Sequence, residues 1–126
     1  CWNYLDKMRG LCDSYGVELI LIKAPSLYPY WYDEWDCQVV MYAENYGIKY
    51  YNLLKMCDEI GIDWSTDTYD LGLHLNVWGA EKLSLYFGKI LSEDIGIADR
   101  RGEPEAARIW LEKAFAYYKE KNEVAK

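Results

Sequence analysis

A chain of 126 residues with a formal net charge of −7 has the length of one ordinary domain and lacks the clustered lysine and arginine that phosphate neutralisation needs. Nucleic acid is therefore not an expected partner, and the acidity reads mainly as a solubility device. Apolar residues make up 52% of the chain, a globular composition, but no apolar run approaches the about 20 residues of a membrane-spanning helix.

Trp2, Leu5, Met8, Leu11 and Cys12 recur at helical spacing, and Tyr15-Gly16 supplies a left-handed stop. Residues 17–23, VELILIK, read as a strand buried on both faces, ended by Pro25 and Pro29 in the loop PSLYPYWYDEW. From Asp33 or Glu34 to Tyr46, the residues Trp35, Val39, Tyr42, Ala43 and Tyr46 mark a second helix, stopped by Gly47. A short strand, 48–52, follows, so strand, helix and strand form a βαβ unit with a parallel pair. Residues 53–60 predict a helical turn before Gly61, and the chain to Leu75 predicts loop. Asn76 is placed to cap a helix from Val77 to about Leu91, and Pro104 opens a last helix from Glu105 to about Lys121.

Two parallel strands do not make a self-sufficient buried sheet. The reading is one α/β domain over 1–126 with its N-terminal strands missing, completed by another segment or a second chain. An open sheet edge predicts dimerisation or aggregation of the isolated chain, and a homodimer is one form of that completion. A chain that opens on Cys1 with helical periodicity already under way reads as a piece of something longer. Cys1, Cys12, Cys37 and Cys57 lack a Cys-x-x-Cys pair, so no zinc or redox motif is expected and most are read as buried thiols.

The segment 67–82, DTYDLGLHLNVWGAEK, holds the only histidine, with an aspartate four residues upstream. Imidazole is the natural proton shuttle near neutral pH, and a carboxylate on one ring nitrogen leaves the other free to take a proton from a hydroxyl. His74 is the candidate base and Asp70 its orienting carboxylate. The plainer reading makes His74 a hydrogen-bonded residue near a helix start.

The same segment resembles the C-terminal Asp/His block of the SGNH (GDSL-like) hydrolases, in the bacterial branch where the histidine is followed by Leu-Asn and then a Gly and a helical Lys. VELILIKAPSLYP resembles that branch's later central strand and loop, and GIADRRGEPEAARIW resembles its tail. The resemblance implies a flavodoxin-like three-layer α/β/α fold and hydrolysis of an ester, commonly an O-acyl group on a carbohydrate, with no cofactor or metal. It implies the general-base role for His74 and the orienting role for Asp70. The family's serine, glycine and asparagine blocks lie upstream of the later central strand, and nothing before Val17 holds them. Ser14, Ser26, Ser65, Ser84 and Ser92 lack the glycine-flanked strand-end context, so the chain alone is expected to be inactive. The Asp-to-His spacing is one residue longer than the family's, which leaves Asp67 as a weaker second choice. Relatives of this branch are often exported or membrane-anchored.

Loop residues Tyr30 and Trp31 are candidate substrate-binding rings, suited to stacking on sugars, whereas Trp35 falls on a helical face and reads as packing. A rival reading is therefore a noncatalytic carbohydrate-binding or assembly module using loop 28–35; a third is a fragment with no separate role. Asp33, Glu34 and Asp36 are explained by the dipole at a helix start, and Arg100-Arg101 by a solvated loop.

Overall fold

The computed structural model describes residues 1–124. Helix α1, Trp2–Tyr15, ends where Gly16 turns left-handed at φ 63°; its closing turn also takes the amide of Val17, which donates to Cys12 O at 2.9 Å. That bond keeps Val17 out of the predicted strand, and strand β1 spans Ile20–Lys23. Helix α2, Asp33–Tyr46, is the crossover to strand β2, Lys49–Asn52, and the strands pair in parallel with Ile20 opposite Lys49 and Lys23 opposite Asn52. The βαβ unit is thus present. A short helix α3, Cys57–Ile60, follows β2, and helix α4, Val77–Lys89, leads into one π-helical turn, Ile90–Asp94. Helix α5 spans Pro104–Val124.

The chain is a mixed helix-and-strand protein with a two-stranded parallel sheet, which corrects the flavodoxin-like expectation for this chain by itself. Two four-residue strands are too narrow to separate two helical layers. The expected burial of β1 on both faces is corrected as well: Ile22 is 51% exposed, because no layer covers its face among the described residues. The buried apolar side chains Ala43, Leu53, Cys57 and Ile60 place the core where α2, β2 and α3 meet.

The outer helices are held by fewer, more polar contacts. On α1, Trp2 stacks on Tyr42 at 5.1 Å, Asp6 accepts from the Tyr42 hydroxyl at 2.8 Å, and Arg9 lies 4.0 Å over the Tyr46 ring. Glu81 of α4 accepts from Tyr117 of α5 at 2.9 Å and pairs with Lys121. All four cysteines are free, but only Cys57 is buried; Cys12 is half-buried and Cys1 and Cys37 are exposed, which corrects the expectation that most lie inside.

Asp36 departs from its sisters at the start of α2. It is 4% exposed and accepts from Tyr50 at 2.6 Å, Asn52 at 2.8 Å and Lys55 at 2.6 Å, pinning α2 to the end of β2. Burial pushes its pKa up, but the hydrogen bonds from Lys55, Tyr50 and Asn52 outweigh this and hold it below the usual carboxylate value.

Candidate active site

The loop after β1 and the segment before α4 lie against each other. Leu27 N donates to Gly72 O at 2.8 Å, and Ser26 Oγ donates to Leu73 O at 2.9 Å. These bonds bring the Asp70–His74 turn to the loop leaving the carboxyl end of β1, the end where open α/β sheets place their ligands.

The turn is built from its own polar groups. Thr68 and Leu75 form an antiparallel bridge, and Thr68 Oγ1 accepts from Gly72 N at 3.1 Å. Asn76 caps α4 as predicted, its side chain accepting from Trp78 N at 3.0 Å and Gly79 N at 3.2 Å, while its amide nitrogen donates to Thr66 O at 2.7 Å. Gly79 lets α4 approach closely, since a Cβ there would lie 2.5 Å from Asp67 O.

Within this frame the Asp70 carboxylate holds His74 twice. Oδ1 accepts from His74 N at 2.7 Å, and Oδ2 lies 2.5 Å from Nδ1. The side-chain bond to His74 is the main influence holding the Asp70 carboxyl below its usual value; partial burial opposes it and the His74 amide assists. A carboxylate ionised at neutral pH only accepts, so Nδ1 carries the proton and donates it. Nε2 has no hydrogen-bond partner among the described residues, and the His74 side chain is 67% exposed. The Tyr69 ring lies nearly parallel to the imidazole, 12° off with centroids 5.9 Å apart. An imidazole fixed on one edge and open on the other can accept a proton from a hydroxyl brought to Nε2.

Among the described residues no serine hydroxyl bonds to Nε2. Ser14 donates to Leu11 O, Ser26 to Leu73 O, Ser65 to Asp63 Oδ1 and Ser92 to Lys89 O. Asp67, the second choice for the carboxylate, is engaged elsewhere: 2% exposed, it accepts from Lys82 Nζ at 2.6 Å and Asp63 N at 2.7 Å.

The aromatic loop divides. Tyr30 is 56% exposed and meets Tyr28 edge-on at 5.4 Å. Trp31 is half-buried, edge-on to Trp35 at 6.3 Å, with Lys23 Nζ 5.3 Å from its ring. It lines a hollow of about 410 Å³ together with Trp2, Leu5, Trp35, Gln38 and Val39, on the α1 and α2 side and not at the Asp70–His74 turn. Its indole nitrogen is buried without a hydrogen-bond partner among the described residues.

Sequence reasoning missed Tyr69, whose only signal was its place beside Asp70, and the Asp36 cluster, whose partners lie 14 to 19 residues away. No family model, curated protein or solved structure gives a significant match to the chain.

Proposed function

We propose that this chain is the C-terminal half of an SGNH-type serine esterase domain, in which His74 is the general base and Asp70 orients it. The observation that carries the reading is the Asp70 carboxylate grasping both the amide and Nδ1 of His74 while Nε2 stays open. The nucleophile and oxyanion donors come from a second polypeptide segment, of the same protein or of a partner. The open face of β1 at Ile22 and the two-stranded sheet favour such a segment, which would widen the sheet into a flavodoxin-like layer. In the reaction the incoming hydroxyl gives its proton to Nε2 as its oxygen attacks the ester carbonyl, and the imidazolium then protonates the departing alcohol. O-acylated carbohydrate is the substrate class the family resemblance suggests.

The test is p-nitrophenyl acetate hydrolysis. The chain alone should show only background turnover; joined to a segment that supplies the serine, it should show turnover that His74→Ala abolishes. Turnover by the chain alone, lost in His74→Ala, would contradict the absence of the nucleophile. Turnover of the joined protein untouched by His74→Ala would remove the reading altogether.

A second reading, a carbohydrate-binding module, draws on the exposed Tyr28–Tyr30 pair and the unpartnered indole of Trp31. Glycan binding lost in Trp31→Ala and kept in His74→Ala would favour it.

A further inference from the structure

Tyr69 is 71% exposed, yet its ring is not free: it stacks on His74, 12° from parallel with the centroids 5.9 Å apart. The backbone imposes this meeting. Thr68 and Leu75 form the antiparallel bridge, and beside it Asn76 N donates to Asp67 O at 2.8 Å, so Tyr69 and His74 are the next opposed pair of the ribbon. Opposed residues of an antiparallel pair send their side chains to the same face, close enough for two rings to meet. The ribbon is anchored at its base by Asp67, 2% exposed and paired with Lys82, and near its tip by Gly72, whose carbonyl accepts from Leu27 N at 2.8 Å. With Tyr69 71% exposed and the His74 side chain 67% exposed, the stack fills no core. Its effect falls on the imidazole.

We propose that Tyr69 is the positioning residue of the candidate base: with Asp70 it holds the His74 ring so that Nδ1 meets the carboxylate and Nε2 points outward. The hydrogen bond at Nδ1, 2.5 Å to Asp70 Oδ2, fixes one point of the ring and leaves it free to pivot about that point. A flat wall along one face removes the pivot, so the Nε2 lone pair is presented in one direction. Parallel, offset rings at this separation are an attractive aromatic arrangement. When the imidazole takes a proton from a hydroxyl, the negative face of the phenol ring also attracts the imidazolium. The positioning stands on this chain's geometry, and the reaction it serves rests on the esterase reading above.

NMR of the whole chain reads this single histidine. The wild type should show ring-to-ring NOEs between Tyr69 and His74, and unequal Hα–Hβ couplings at His74, the mark of one χ1 rotamer. Tyr69→Phe should keep those couplings. Tyr69→Leu, which keeps bulk without an aromatic face, should average them and move the His74 ring protons downfield, with the Thr68–Leu75 cross-strand NOE intact. Unchanged couplings in Tyr69→Leu would overturn the proposal. Loss of the Thr68–Leu75 NOE in that variant would overturn it too, since Tyr69 would then support the ribbon and not the ring. In the joined esterase, Tyr69→Leu should lower kcat about two- to fivefold at unchanged KM, the worth of an exposed cation–π contact, and Tyr69→Phe should restore it. Hydrolysis that needs His74 but is indifferent to Tyr69→Leu would sink the positioning role alone. Hydrolysis untouched by His74→Ala, with the couplings still averaged in Tyr69→Leu, would keep the positioning of the ring and sink the esterase reading.

Discussion

The segment from Asp63 to Gly79 and helix α5 are similar in length and opposite in how they are held. The segment is nearly all irregular, so its backbone groups find partners in side chains: Asp67, Thr68, Asp70 and Asn76 each accept from at least one backbone amide. Helix α5 satisfies its own backbone and meets α4 through Tyr117 and Lys121, leaving Trp110, Leu111, Phe115 and Tyr118 between 57% and 77% exposed. Regular backbone is thus no measure of how firmly an element is fixed. The irregular segment is specified atom by atom because unpaired buried polar groups are expensive, whereas the helix can stand with its apolar side uncovered.

The sharpest break in that contrast comes at Asp67. Asp67→Ala leaves the Asp63 amide without its acceptor and Lys82 with only Gly61 O, and should cost about 3 kcal/mol, the low end for a broken buried pair because Lys82 keeps that bond and 41% of its side-chain exposure. Urea unfolding measures it, and a cost below about 1 kcal/mol would show that the segment is held by something else. Gly79→Ala comes next. Alanine gains at most about 1 kcal/mol of helix propensity, but its Cβ meets the Asp67 carbonyl at 2.5 Å, an overlap worth about 3 kcal/mol, so the net loss should be about 2 kcal/mol.

A smaller effect separates the Asp36 cluster from the solvent-exposed acids. Its folded pKa lies below the ordinary 3.8, so the unfolded chain binds the proton more readily. The stabilisation is complete above that value and is lost as pH falls through the folded-state pKa. Asp36→Asn should therefore lower stability more at pH 7 than at pH 3; an equal loss at both would contradict the ionised hub. The smallest effect is expected on α5, where Phe115→Ser and Leu111→Gln in the isolated chain should each change stability by less than about 0.5 kcal/mol. A loss of 2 kcal/mol would mean that this face is covered.

Local grammar was legible in the sequence. Gly16, Gly47 and Gly61 end helices in the left-handed conformation, Asn76 caps α4, and the βαβ order follows from the alternation of periodicities. The Asp70–His74 contact was legible for the same reason, since both residues lie in one turn. What depends on distant packing was not. The inward turn of Asp36 is decided by Tyr50, Asn52 and Lys55, and the half-burial of Trp31 by α1 across the loop. Burial of β1 on both faces was read from its apolar run, but composition states which surface wants covering and not which segment covers it.

The central claim is that Asp70 fixes the imidazole of His74 through Nδ1–H and leaves Nε2 as the free base. Nitrogen-15 NMR of this single histidine, read on the uncharged ring, measures it directly. The account predicts a proton on Nδ1 and a bare Nε2 in the wild-type chain, with that preference lost in Asp70→Asn. A ring protonated on Nε2, indifferent to Asp70→Asn, would contradict it.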